Sequence, residues 1–429
     1  MEENLFRIIS VDAIQVLDSR GDPTIEVSVR TYGGSGRAIA PAGASKSIHE
    51  AVELRDNDPN VFRGRSVYRA VDIVRNTISQ ALIGLDSRRQ RYIDRILIEI
   101  DGTPNKSRIG GNTTTAVSLA VLKAAADTYR VPVFRYVGGI KAIKIPIPMM
   151  NIVNGGVHAG NNLAFQEFMI VPLKFESFSR ALRAGVEIYK SLKDILKSRY
   201  GINAVNVGDE GGYAPPMSRV EEALQVLKEA VEKTKYSFGE EVFISIDAAA
   251  SQFYDEESGR YKIDGREFEP EELLEFYLDL SDRYKLLSIE DPFHEESIEY
   301  FSKLVSSLKK TLVVGDDHLS TNVKRLEKSI EKRSVTAALV KVNQVGTFTE
   351  TREFVDLARR SRLYTIMSHR SGDTEDNVLS HLAVGLETDF IKTGAPARSE
   401  RVAKYNELLR IESFLGDEAL YQGSVIKIW

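Results

Sequence analysis

The clearest pattern in the chain is a series of short apolar segments in its second half, each closed by a polar residue. They are Val242–Asp247, Leu286–Glu290, Leu312–Asp316, Ala337–Lys341, Tyr364–His369 and Phe390–Lys392. Between most of them lie stretches with apolar residues at helical spacing: Glu271–Tyr284, Glu296–Leu308, Val323–Lys332, Phe348–Arg360 and Glu375–Leu386. Strand–helix alternation at about 25 residues per unit predicts a parallel sheet. Unbroken apolar strands predict burial on both faces. A closed (β/α) barrel answers both and builds its active site at the C-terminal ends of the strands. A doubly wound open sheet would alternate in the same way, but no Gly-x-Gly-x-x-Gly opens a strand–helix unit here. Every one of the segments ends in Asp, Glu, Lys or His, so the strand ends carry the chemistry.

The first part of the chain has another rhythm. Ile8, Ile9, Val11, Ile14 and Val16, then Ile25, Val27 and Val29, place apolar residues at period two. Asp18-Ser19-Arg20-Gly21-Asp22-Pro23 is a turn between them, and Gly33-Gly34-Ser35-Gly36 a second turn. Residues 48–129 read mostly as helix, most plainly in the Ala and Leu stripe of 114–129. Strands followed by helices predict a small α+β domain. Pro132, Pro146 and Pro148 punctuate the region after that stripe. The expected organisation is therefore an N-terminal α+β domain over residues 1–140 and a catalytic barrel over 141–429.

Composition narrows the classes of function. With 429 residues, 42% of them hydrophobic and 28% charged, the chain is an ordinary globular one, long enough to bury a large core without staples. A net charge of −5 gives no support for nucleic-acid binding, yet leaves room for a local anion pocket. With no cysteine, disulfides are impossible and any metal must sit on oxygen or imidazole. A cysteine-free chain suits a reducing compartment. Met1-Glu2-Glu3-Asn4 is acidic where a signal peptide is basic. No apolar run approaches the roughly 20 residues of a membrane helix. A cytoplasmic protein without a membrane span is expected.

Three successive strand ends are carboxylates: Asp247, Glu290 and Asp316. Any one of them alone would more simply cap a helix or pair with arginine. Converging together, they would repel one another unless a cation neutralised them, and oxygen ligands at an open site suit Mg²⁺. The next strand ends change sign, to Lys341, His369-Arg370 and Lys392, which makes an anion site beside the metal. Neighbouring positive charge lowers a lysine pKa, so Lys341 is a candidate general base. Two glycine-flanked loops complete the set. Asn154–Asn161 carries His158 and is followed by Gln166-Glu167; Val207–Tyr213 carries Asp209-Glu210. Glu210 is a candidate acid, whereas His158 alone would more often be structural.

At these residues the sequence resembles the enolase family. The shared motifs are Asp18-Ser19-Arg20-Gly21 with Pro23-Thr24; Asn154–Gly160; Gln166-Glu167-Phe168-Met169; Gly208–Gly212; Ser288-Ile289-Glu290-Asp291-Pro292; Lys341-Val342-Asn343-Gln344; Ser368-His369-Arg370-Ser371-Gly372; and Ile391-Lys392-Thr393-Gly394-Ala395-Pro396. They span the chain from about residue 6 to residue 415. The resemblance implies an α/β fold: a modified (β/α)8 barrel C-terminal domain, its first units departing from plain βα order, with a smaller N-terminal α+β domain. It implies an enolase, a hydro-lyase that reversibly dehydrates 2-phospho-D-glycerate to phosphoenolpyruvate in glycolysis and gluconeogenesis. Two Mg²⁺ ions are implied, one on Asp247, Glu290 and Asp316, the other arriving with substrate and bound partly by Ser45. Lys341 would be the base and Glu210, supported by Glu167, the acid. Lys392 would hold the substrate carboxylate, Arg370 and Ser371 the phosphate, and His158 and His369 would line the pocket. A homo-oligomer, dimer or larger, is implied.

Several positions depart from the family pattern. The loop usually reading Ser-Gly-Ala-Ser-Thr-Gly is Ala42-Gly43-Ala44-Ser45-Lys46-Ser47, and Ser47 should stiffen it. His318 stands for the usual Leu, Ser320 for Val, Ser380-His381 for Ala-Asp, Asp389-Phe390 for Gly-Gln, and Gln252 for Glu. These departures bear on loop closure, turnover and substrate choice. Two other functions are weighed: an acid-sugar dehydratase of the same superfamily, which would lack the phosphate grip, and a catalytically altered paralogue kept as a binding or scaffold protein, which should have lost Lys341, Glu210 or a metal ligand.

Overall fold

The structure, a computed structural model, describes residues 4–44, 47–156 and 159–428. Ser45 and His158, both candidate site residues, lie outside the described residues. The chain opens with an antiparallel sheet of β1 (Ile8–Leu17), β2 (Pro23–Thr31) and β3 (Ser35–Ile39), in that order. Ile25, Val27 and Val29 are buried, as their period predicts. The sheet packs on α2 (Gly111–Thr128), which comes after α1 (Gln90–Asp101). Helix α2 is buried on almost every side because Ala116, Ala120 and Ala124 let its neighbours approach closely. Gly36 makes the closest approach: a Cβ there would stand 2.1 Å from the Ala120 carbonyl oxygen and 2.3 Å from the Ala124 amide nitrogen.

The expectation of helix over 48–129 fails at residues 51–67. Apart from a single 3-10 turn at Phe62–Gly64, helix begins only at Tyr68. The Val52 N–H donates to the Asn105 carbonyl (2.8 Å) and the Asp56 N–H to the Ser66 carbonyl (2.9 Å), so the segment runs extended and returns on itself. Asp56-Asn57-Asp58-Pro59-Asn60 turns the chain, with the Asp58 carboxylate accepting from the Asn60 N–H (2.9 Å).

The second part is a closed barrel of eight strands: β4 (Ile147–Asn154), β5 (Glu167–Pro172), β6 (Val242–Asp247), β7 (Leu286–Glu290), β8 (Leu312–Gly315), β9 (Ala337–Val340), β10 (Tyr364–Ser368) and β11 (Phe390–Lys392). The six apolar segments are β6 to β11, with ends within one residue of expectation. Neighbours are parallel except at β5, which runs antiparallel to both β4 and β6. The apolar rhythm did not reveal β4 and β5, because the chain returns between them through a loop where a βα unit would place a helix. Around the barrel lie α3 (Phe178–Tyr200), α4 (Val220–Glu232), α5 (Pro270–Tyr284), α6 (Ile298–Ser307), α7 (Val323–Lys332), α8 (Phe348–Arg360), α9 (Val378–Gly385) and α10 (Ser399–Leu415). No helix among the described residues is long and apolar enough to cross a membrane.

The N-terminal sheet and its helices sit against the barrel mouth. The Ser19 N–H donates to the Asp373 carbonyl (2.8 Å), and Ala42 and Gly372 exchange two backbone hydrogen bonds (2.8 Å each). Lys123 Nζ pairs with Asp376 Oδ1 at 3.0 Å. A single buried apolar cluster runs through both parts.

Candidate active site

Strand register brings the charged residues to one rim. Glu167 begins β5 and pairs with Asp247 at the end of β6, and Asp247 pairs with Glu290 at the end of β7. Asp316 comes just after β8, Lys341 just after β9, His369-Arg370-Ser371 just after β10, and Lys392 ends β11. Because β5 runs backwards, its first residue reaches the rim that the other strands reach with their last. In the ring of eight strands β5 and β9 are four steps apart, so Glu167 and Lys341 face each other across the mouth.

Two buried ammonium groups sit among the carboxylates. Lys392 Nζ lies 3.1 Å from Asp247 Oδ2, 2.8 Å from Glu290 Oε1 and 3.1 Å from Glu167 Oε1. Lys341 Nζ donates to Asp316 Oδ2. Gln344 Nε2 donates to Asp316 Oδ1 at 3.0 Å. Asp247, Glu290 and Asp316 thus share one mouth without closing on a point. Among the described residues, the three acidic groups whose oxygens do come within 4.8 Å of one another are Asp291, Asp316 and Asp317. Asp291, to which the sequence pattern assigned no role, has both oxygens committed: Oδ1 accepts from the Asp316 N–H (2.9 Å) and Oδ2 from the Asp317 N–H (2.7 Å). It pegs the end of β8 in place.

The electrostatics show how strongly these carboxyls are held against their own charge. Burial, reinforced by Asp247, pushes the Glu290 carboxyl far above its ordinary range. Burial, reinforced by Glu210, does the same to Glu167. Asp317 is pushed up to about 8 by burial and by Asp316. Oε2 of Glu290 and Oε2 of Glu167 are buried without a hydrogen-bond partner among the described residues. Buried acceptors lacking a donor, on residues held against their own charge, suit a hard cation. The donor set, all oxygen and facing a polar pocket, fits Mg²⁺.

One expectation is corrected. Burial does depress Lys341, and Arg370 and Lys392 add to that, but the Asp316 carboxylate outweighs them and holds the ammonium above its usual range. Lys392 is likewise held well up, burial being overcome by Asp247, Glu167 and Glu290.

Glu210 stands on the glycine-flanked loop, which Tyr213 ties to β4: the Asn154 N–H donates to the Tyr213 carbonyl (2.8 Å) and the Tyr213 N–H to the Ile152 carbonyl (2.9 Å). Asn151 Nδ2 donates to Glu210 Oε2 at 3.0 Å, and His369 Nε2 lies 3.4 Å from Glu210 Oε1. Arg370 is gripped by Glu50 of the N-terminal part, Nη1 to Oε2 at 2.8 Å and Nη2 to Oε1 at 3.2 Å. The Ser371 hydroxyl oxygen accepts from the Ala44 N–H (2.7 Å). Ser47 is latched to the barrel, its hydroxyl donating to Glu295 Oε2 at 2.5 Å. A small polar cavity, about 20 Å³, remains between Ala44, Glu167, Glu210, Lys341, Ser371 and Lys392. Glu50 and Asn151 were not legible in the pattern; neither belongs to a glycine loop or to a strand end of the recurring series.

The family model "Enolase, N-terminal domain" matches residues 8–137, and "Enolase, C-terminal TIM barrel domain" matches residues 142–428. Among similar relatives, the enolase of Aeropyrum pernix is 53% identical over 429 residues, 100% of this chain and 99% of its own length. The enolase of Pyrococcus furiosus is 50% identical over 422 residues, covering 98% of each chain. That of Methanococcoides burtonii is 49% identical over 420 residues, again 98% of each. The closed barrel, with acids and amines gathered at one rim, defines an enzyme built for proton transfer. Within that class the chain belongs to the enolase family.

Proposed function

We propose that the chain reversibly dehydrates 2-phospho-D-glycerate to phosphoenolpyruvate, the carbon–oxygen lyase reaction of its family. The observation that carries this reading is the placement of Lys341 and Glu167 on opposite sides of one ring, with Glu210 beside the latter's bank. Anti elimination needs a base on one face of the substrate and an acid on the other. Lys341 takes the C2 proton. The electron pair left behind forms the C2–C3 double bond as the C3–O bond breaks, and Glu210, supported by Glu167, delivers the proton that makes the leaving hydroxide water. Asp316 now holds Lys341 protonated. Once the Asp316 charge is engaged elsewhere, burial and the nearby Lys392 and Arg370 lower the amine's affinity for a proton.

Asp247, Glu290 and Asp316 would hold one Mg²⁺, with a second arriving with substrate and bound partly by Ser45. Bound there, the ions supply positive charge against the second negative charge that a substrate carboxylate gathers as C2 is deprotonated; lysine-plus-Mg²⁺ sites of this superfamily are a known pattern. Lys392 would hold the substrate carboxylate, Arg370 and Ser371 the phosphate, and His369 and His158 would line the pocket. A cysteine-free chain suits the cytoplasm, and exposed Ile14 and Leu17 on β1 suit a homo-oligomer.

The test is the rise in ultraviolet absorbance as the conjugated product forms from 2-phosphoglycerate. It should require Mg²⁺ and vanish in chelator. Lys341→Ala should abolish exchange of the C2 proton with solvent; undiminished exchange in that variant would remove Lys341 from the role of base.

A further inference from the structure

Arg401 lies in the first turn of α10 and is fully buried. Its guanidinium is spent on the loops of the site. Nη1 donates to His369 Nδ1 at 2.5 Å and to the Arg370 carbonyl at 2.6 Å; Nη2 donates to the Ser371 carbonyl at 2.5 Å and to the Asp209 carbonyl at 3.1 Å. Asp373 Oδ2 stands 3.8 Å from Nη1 and Glu400 Oε1 3.3 Å from Nε.

A guanidinium only donates and keeps its protons at any working pH. His369 Nδ1 must therefore be an acceptor, and a neutral ring then carries its single proton on Nε2. Burial keeps the ring neutral, driving its pKa to about 4 although Glu210 opposes this. Nε2 faces Glu210 Oε1 at 3.4 Å and has no other partner among the described residues. Gly394 leaves room for the arrangement. Its φ is +77°, and a Cβ there would stand 2.6 Å from the Glu210 carbonyl oxygen, 3.0 Å from Arg401 Cδ and 3.2 Å from His369 Cε1.

We propose that Arg401 is a positioning residue for the dehydration: through His369 it keeps an N–H, and never a lone pair, aimed at Glu210, and through the carbonyls of Asp209, Arg370 and Ser371 it fixes the spacing between the acid loop and the loop after β10. The kinetic part of the inference rests on the reading of Glu210 as the acid. Without Arg401, Nδ1 is free to take the proton, and the ring turns a lone pair toward Glu210 or accepts a second proton. Either change alters how readily Glu210 gives up its proton. Lys341, across the mouth, is untouched.

The experiment is ¹⁵N spectroscopy of the histidine-labelled full chain, with the His369 signals assigned by their loss in His369→Gln. In the wild type, Nδ1 should be bare and Nε2 protonated from about pH 6 to 8. In Arg401→Met that tautomer should be lost, and dehydration should fall by about ten- to a hundredfold while C2 exchange stays within about threefold. Arg401→Lys, which keeps a cationic donor, should recover part of the loss. A wild-type ring protonated at Nδ1 overturns the inference whether or not Arg401→Met folds. So does a folded Arg401→Met that loses exchange and dehydration in equal proportion. The tautomer is read without substrate, so it stands apart from the reading of function. Undiminished dehydration in Glu210→Gln would instead sink Glu210 as the acid.

Discussion

His381 occupies a position where the family usually has aspartate. An aspartate there would face Glu407, a like charge. The histidine instead places Nε2 3.1 Å from Glu407 Oε1 and lies stacked near Phe134, with ring centroids 6.0 Å apart. The hydrogen bond from His381, against the opposing effect of burial and with help from Arg410, holds the Glu407 carboxyl down to about 2. A carboxyl whose folded pKa is depressed contributes stability that is present above its unfolded value, near 4.5, and is lost as pH falls toward the folded one. Screening at this partly open site limits the effect to about 1 kcal/mol. Thermal unfolding should therefore show Glu407→Gln less stable than wild type at pH 7, with the gap shrinking as the pH is lowered from about 5 to 3; a gap that stays constant would remove the charge from the account. His318, the other histidine departure, is buried against Phe301 at 4.1 Å and hydrogen-bonded to the Glu295 carbonyl at 2.8 Å. Asp389 sits at the far end of β11, where its carboxylate accepts from the Thr365 N–H (2.9 Å). These departures looked relevant to substrate choice in the sequence. Their partners come from distant segments, and the structure assigns them to the walls of the fold.

The elements most legible in the sequence were those whose burial repeats. Strands β6 to β11 are closed in on both faces, so each is an apolar run with a polar end, and helices α5 to α9 alternate with them. The rhythm is silent at β4 and β5, where no crossover helix intervenes. It misleads at residues 51–67, where turn-forming Asp, Asn and Pro override a helical prior. Gly36 illustrates the same limit. As one of four residues in Gly33–Gly36 it reads as part of a turn, yet it lies inside β3, pressed on the backbone of α2. Gly36→Ala must push sheet and helix apart and should cost about 3 kcal/mol, the upper end for overpacking, since backbone cannot rotate away. Urea unfolding checks this as a lower midpoint with unchanged slope; an unchanged midpoint would mean the sheet can shift at little cost.

At the scale of the molecule, the site belongs to neither part alone. Glu50 and Arg370 lie 320 residues apart in sequence and form a buried two-point pair at the mouth. Asn151, Asp291 and Arg401 likewise act on residues far along the chain, which is why strand-end chemistry found the charged ring but not the groups that hold it. With one apolar cluster running through both parts, the protein should unfold in a single transition: far-ultraviolet circular dichroism and dehydration activity should be lost at the same denaturant concentration. A plateau in which helix content survives inactivation would show that the sheet domain lets go first. The ring has a last consequence, and it concerns handedness. On the proposed roles, amine and acid occupy opposing banks, joined on one side by the arc from Asp247 to Asp316 and on the other by the arc from His369 to Lys392. A tetrahedral carbon tethered to both arcs can offer its hydrogen to one bank only. Its mirror image, tethered in the same way, turns that hydrogen toward Glu167 and away from Lys341. On those roles the pocket would tell left from right by the order in which its staves are laid.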